Sequence, residues 1–200
     1  MDTAATPLLA AAAAVLAVIV PSMAYGAGYQ PTPKHIVEEL LSMREFRHMR
    51  KGSVVYDVGA GMGRVTLTIL EKTGYNVVAV EPEPLKYFYL KLRTRKYGER
   101  VRFARKSCLK ISYADADAVY CFLTPWLNAK LKPVIEKTAK PGAAVVSYLH
   151  QFNGWMRFYC SPTGLRGYYP LQAPTPKPAA ETATPPIIKP SQVEADPHGG

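Results

Sequence analysis

Residues 53–64 read Ser53-Val54-Val55-Tyr56-Asp57-Val58-Gly59-Ala60-Gly61-Met62-Gly63-Arg64. The β-branched and aromatic run SVVYDV has no helical period and predicts a buried strand, and three glycines at every second position then force a tight turn. The expected arrangement is strand, glycine turn, helix, with N–H groups at the helix N-terminus free for a ligand. A dinucleotide fingerprint needs G-x-G-x-x-G, and Arg64 stands where its third glycine belongs, which disfavours a pyrophosphate. A second acid, Glu81, closes the next apolar run (VVAVE) 18 residues beyond Gly63, where a carboxylate can accept both hydroxyls of a ribose. A tight turn beside an unrelated strand-end acid would give the same letters.

On either side the patterns alternate. Ile36, Val37, Leu40, Leu41, Met43 and Phe46 recur at helical spacing and predict one amphipathic helix over residues 34–50. After the glycine turn a helix is expected to about Thr73, a strand at 76–81, and a helix from Pro84 with Leu85, Phe88, Tyr89 and Leu92 on one face. Strands at 100–105 and 117–123, a helical region to about Lys137 and a strand at 143–149 follow. Strand alternating with helix predicts an α/β domain: a Rossmann-like, doubly wound, mostly parallel sheet, whose ligands bind beyond the carboxyl ends of the strands. Residues 156–160 and 165–171, around Ser161-Pro162-Thr163-Gly164, predict a C-terminal antiparallel hairpin.

The ends differ from this middle. No charged residue occurs from Thr3 to Pro33, and Leu8 to Val20 is continuously apolar (LLAAAAAVLAVIV), so residues 1–26 are expected to be a membrane anchor or a signal-like segment. The stretch is short for a span of about 20 residues, and Ser22-Met23-Ala24 resembles a cleavage site. It lacks a basic leading region and carries Asp2 there, and the basic residues Lys34, Arg44, Arg47, Arg50 and Lys51 lie just beyond it. An uncleaved anchor with the domain in the cytoplasm is the favoured reading; a cleaved signal or a soluble cytoplasmic protein are the alternatives. Residues 173–200, rich in proline, are expected to form a disordered tail, leaving 27–172 as the domain.

Of the 200 residues, 48% are hydrophobic and 20% charged, which suits one globular domain. Cys108, Cys121 and Cys160 are odd in number and widely spaced, and the four histidines show no ligand spacing, so neither a disulfide framework nor a metal site is indicated. The net charge of +10 is concentrated between Glu83 and Lys110, where ten basic residues face two acids. A solvated face explains that run; contact with an anionic membrane surface is the next reading, and RNA is not favoured because no RNA-binding motif accompanies it.

Asp57 to Gly63 together with Glu81 resembles motifs I and II of class I S-adenosylmethionine (SAM)-dependent methyltransferases. Tyr29-Gln30-Pro31-Thr32-Pro33, Phe122-Leu123-Thr124-Pro125 and Ser147 to Trp155 (SYLHQFNGW) are similar to one branch of them: the small archaeal protein-lysine methyltransferases and their membrane-anchored mitochondrial relatives. The resemblance covers about residues 27–157 and implies SAM as cofactor. It implies that Thr32, Asp57, Gly59, Ala60, Gly61, Gly63, Glu81 and Pro82 bind it, with Asp57 and the glycine loop on the amino-acid part and Glu81 on the ribose. Ser107 follows Phe103 where relatives carry an acid in an F-x-x-x-D pattern, and its neutral hydroxyl would hold the adenine edge more weakly than a carboxylate. Tyr29, Phe122, Thr124, Pro125 and Trp126, with Trp155, would line the slot through which the acceptor enters, and Tyr29 and Thr32 would close over the cofactor. Thr32 and Pro33 also suit the N-cap and first turn of a helix, and in the same way Phe122 could be plain core and Pro125 the start of a helix.

The implied function is methyl transfer to accessible lysines of a protein substrate, such as a membrane protein. An RNA or small-molecule methyltransferase and a degenerate SAM-binding scaffold are the alternatives; an oxidoreductase would bind NAD instead.

Overall fold

In the computed structural model the described residues are 30–170 and, before them, only Pro7 and Leu9. All of the expected anchor but Pro7 and Leu9, together with Tyr29 and the proline-rich tail, therefore lies outside the described residues. No helix among those described is long and apolar enough to cross a membrane.

Seven strands form one sheet in the order β3-β2-β1-β4-β5-β7-β6. They are β1 (Val54–Val58), β2 (Asn76–Val80), β3 (Val101–Ala104), β4 (Ala118–Cys121), β5 (Ala144–Tyr148), β6 (Met156–Cys160) and β7 (Leu165–Tyr169). The first five run parallel, and β7 inserts antiparallel between β5 and β6. This is the Rossmann-like class I methyltransferase fold with its antiparallel end. Strand order reverses between β1 and β4, so the carboxyl ends of those strands frame the ligand crevice.

Alternate residues of each strand serve two separate cores. Val55, Val77, Val101 and Val146 pack under helices α1 (Lys34–Ser42), α2 (Arg44–Arg47) and α3 (Arg64–Lys72). Val58, Val80, Val119 and Val145 pack on the opposite face under α5 (Pro125–Thr138).

Three expectations change. The single helix over 34–50 breaks at Met43, whose backbone is extended (φ −59°, ψ 143°). Continued straight, that helix would carry Phe46 roughly 80° off the Ile36, Val37 and Leu40 stripe; restarting as α2 lets both Met43 and Phe46 reach the core. Trp155 is buried against Phe152 (ring centroids 4.6 Å), and its indole N–H donates to Glu136 (2.7 Å), so it belongs to the α5-side core rather than to an acceptor slot.

The third concerns α4 (Pro84–Thr94), which docks through Leu90, Thr94 and the stem of Lys86. Leu85, Phe88, Tyr89 and Leu92 do share one face, but it points to solvent.

Candidate functional site

The loop after β1 is held by its own backbone. The Gly59 and Ala60 N–H groups both donate to the Val80 carbonyl at the end of β2 (2.9 and 3.0 Å), and Gly63 N–H donates to Ala60 O (2.8 Å). Gly61 N–H donates to Glu81 Oε2 (2.8 Å), and Thr66 N–H to Asp57 Oδ2 (2.9 Å). Most of the amides expected to await a ligand are thus spent on the fold. A loop so engaged cannot cradle a pyrophosphate, but it can present two carboxylates.

Those carboxylates are the electrostatic centre. Asp57 is 2% exposed, and its Oδ2 accepts from both the backbone and hydroxyl of Thr66. Burial pushes its carboxyl up to about 6, against the pull of these hydrogen bonds, and the nearby Glu81 charge adds to the rise. Glu81 is raised for the same first reason, opposed by the N–H donors of Glu83 and Gly61. Each Glu81 oxygen takes one backbone donor and keeps lone-pair capacity for another. Buried acids with spare acceptor capacity suit a cationic ligand that carries a diol.

A cavity of about 280 Å³ opens between the β1 and β4 ends. Thr32, Asp57, Gly59, Ala60, Gly61, Glu81, Pro82, Ser107 and Phe122 all line it. Gly59 has φ +81°, and a Cβ there would lie 3.1 Å from Leu123 Cδ2. Gly63 is not on this wall; it is the left-handed N-cap of α3, pressed against Leu90. Ser107 sits on the wall as the cap of a short 3-10 turn (Cys108–Lys110), its hydroxyl oxygen accepting from Leu109 N–H (3.3 Å). The hydroxyl proton remains to be donated.

The α1 N-cap is Pro33 and no side chain caps it, contrary to the expectation for Thr32. The Thr32 hydroxyl instead meets the buried Tyr120 hydroxyl (2.8 Å), and its carbonyl accepts from Arg64 Nη1 (3.0 Å). A buried phenol requires a polar partner, and Thr32 supplies it across the cleft. Tyr120 and Arg64 both line the cavity, and sequence reasoning missed both as site residues. Arg64 could have been suspected as a charge inside a glycine turn. Tyr120 carries no such signal, being one apolar-looking strand position among others.

On the acceptor side the structure divides the expected set. Phe122 lines the cleft, edge-on to Tyr148 (4.8 Å) and near-parallel to His150 (6.5 Å). Thr124 caps α5, accepting from Leu127 N–H (3.3 Å), and Pro125 occupies its first turn. Trp126 projects outward beneath Lys130 Nζ (3.9 Å to the ring centroid). None of these three lies on the cavity wall. A helix start fixes their directions, and only the last residues before it point inward.

The turn after β5 is strained and braced. Leu149 is the sole non-glycine residue with positive φ (+61°) among the described residues. Buried Asn128 clamps the turn, its amide donating to Ser147 Oγ (3.2 Å) and His150 O (3.0 Å). Asn128→Ala should cost about 1–2 kcal/mol in urea denaturation, because it removes two hydrogen bonds from the turn while the Ser147 hydroxyl still donates to His150 O; a cost under about 0.5 kcal/mol would show that the clamp does not hold this turn.

Residues 57–158 match the family model described as the ANTKMT methyltransferase domain. The chain belongs to that family. A protein-lysine N-methyltransferase of Saccharolobus islandicus is 29% identical over 132 residues, covering 64% of this chain and 79% of the relative. The ribosomal protein L11 methyltransferase of Thermus thermophilus is 29% identical over 126 residues, 62% of this chain and 47% of that protein. Among solved structures, an RNA methyltransferase from Salinibacter ruber in complex with S-adenosyl-L-homocysteine superposes with a TM-score of 0.63 at 26% identity, covering 72% of this chain and 97% of that one. This ANTKMT-family protein is a SAM-dependent methyltransferase, and its buried acids and engaged loop amides fit that cofactor.

Proposed function

We propose that the enzyme methylates lysine side chains of a protein substrate held close to a membrane. One observation carries the reading: the acceptor side of the cleft offers Phe122, backed by Tyr148, and no histidine is among the described residues that line it. When bound, SAM supplies a sulfonium methyl open to in-line displacement. The chain's own part is positioning and desolvation. Desolvation in the slot and the positive charge of the neighbouring sulfonium lower the pKa of an entering ammonium, so the amine arrives neutral and its proton leaves to solvent. In this reading Asp57 faces the ammonium of SAM, Glu81 its ribose and the Ser107 hydroxyl its adenine, while Pro82, Ala60 and the loop glycines shape the floor. Thr32, tied to Tyr120 and Arg64, closes the near side.

The protein-lysine N-methyltransferase of Saccharolobus islandicus, matched over 79% of its length, supports the lysine assignment. The apolar stretch from Leu8 to Val20 supports a membrane tether with the domain on the cytoplasmic side. A second reading, methylation of RNA, has the Salinibacter ruber enzyme and the basic run in its favour.

Incubation of the full chain with labelled SAM, a membrane-protein fraction and total RNA separates them. Label should appear on lysines and vanish with Glu81→Ala; label confined to RNA, lipid or small molecules would reject the lysine reading.

A further inference from the structure

Among the described residues nothing covers one apolar face of helix α4. Leu85, Phe88, Tyr89 and Leu92 are 57%, 58%, 45% and 61% exposed, yet their 3- and 4-residue spacing places them in one stripe. An isolated exposed leucine needs no explanation, but four large apolar side chains aligned on one short helix do.

The flanks of the stripe are cationic. Lys91 lies on the β3 side, its Nζ 5.9 Å from the Phe103 ring centroid, and Arg93 lies on the cleft side, over the Tyr89 ring and donating to Met62 O (3.4 Å). Exposed Arg95 and Lys96 continue the basic surface at the helix C-terminus, and no acidic residue occurs between Pro84 and Gly98. Beyond the helix, Arg105 and Lys106 extend it along the outer edge of the sheet.

We infer that α4 lies flat on an anionic lipid surface, with Leu85, Phe88, Tyr89 and Leu92 among the acyl-chain ends of the headgroups and the flanking cations on lipid phosphates and carboxylates. An outward apolar stripe bordered by lysine and arginine is the pattern of an interfacial helix. RNA would use the cations and the two rings but has no use for two exposed leucines. A symmetric second copy would bring like charges together along both borders. The geometry has a consequence for the site. Because Arg93 borders both the stripe and the cofactor cleft, the cleft mouth would open beside the headgroups, near lysines that emerge from the bilayer. The inference stands on the surface of α4 and holds whichever acceptor is methylated.

The test uses the full chain with a single labelled thiol. Cys108 and Cys121 are buried and Cys160 is exposed, so Cys160→Ser combined with Leu92→Cys gives one site on the stripe for a polarity-sensitive dye. Cys160→Ser with Lys137→Cys places the dye on α5, across the sheet. On vesicles of phosphatidylcholine with about one-third phosphatidylserine, the dye at 92 should shift to the blue and be quenched by brominated acyl chains, while the dye at 137 stays in water. Lys91→Gln with Arg95→Gln should weaken this contact about 25-fold, at about fivefold per cation. Three results would overturn the inference. They are water-like emission at 92 on protein that sediments with the vesicles, an equal shift on phosphatidylcholine alone, and a full shift before vesicles are added. The last would mean that another segment or a second copy covers the stripe.

Discussion

Replacing Asp57 by asparagine should lower kcat/KM for SAM by about 30- to 100-fold while stabilising the cofactor-free enzyme by on the order of 2–3 kcal/mol near neutral pH. Burial holds the Asp57 carboxyl at about 6, above its ordinary 3.8, so the folded state binds that proton more tightly than the unfolded chain does. Stability from this group is therefore complete below about pH 4 and is lost as pH rises through 6. At neutral pH the fold carries a buried anion that asparagine would not, and the asparagine carbonyl can still accept from the Thr66 N–H and hydroxyl. The gain should appear in thermal melts near pH 7.5 and disappear near pH 4.

The same substitution should weaken SAM binding about 30- to 100-fold by calorimetry, the loss expected for one charge-assisted contact. In the parent enzyme cofactor affinity should fall about tenfold between pH 7 and pH 5, as a carboxylate titrating near 6 requires. If affinity survives Asp57→Asn unchanged, Asp57 serves α3 as a remote cap and nothing more.

Gly63→Ala should cost about 2–4 kcal/mol, a fall of roughly 10 °C in Tm. Two penalties add. Gly63 has φ +85°, a conformation that costs an L-residue about 1 kcal/mol, and a new Cβ would stand 2.2 Å from Leu90 Cδ1. Leu90 is fully buried against Ala60, Ala79 and Phe103, so its side chain has no open space to turn into. Pairing the substitution with Leu90→Ala should therefore cost less than the two single changes together. Strict additivity would show that Gly63 is required for its backbone conformation alone. The contrast with Gly59 is informative, because there the neighbour stands at 3.1 Å and lies on the cofactor wall. Gly59→Ala should act more on SAM affinity than on Tm.

The sequence by itself determined the first half of the sheet and its purpose. A β-branched run ending in Asp57, glycines that only a left-handed turn could use, and an acid closing the next run are local signals, each readable within a few residues. They sufficed for the parallel strands, the class I fold and the cofactor. Tertiary structure decided the rest, since each remaining feature depends on what another part of the chain places opposite. β7 rather than β6 pairs with β5, a choice of edge that hairpin letters do not encode. Thr32 finds Tyr120 across 88 positions instead of capping its own helix.

Of the two readings open for residues 122–126, the helix start holds for 124–126, whereas Phe122, just before it, faces the cleft. Helical periodicity showed that Leu85, Phe88, Tyr89 and Leu92 share a face, but which face of α4 meets the sheet was settled by the fit of Leu90 under Gly63. A repeat in sequence fixes relative direction along a helix; only packing against a partner fixes what that direction points at.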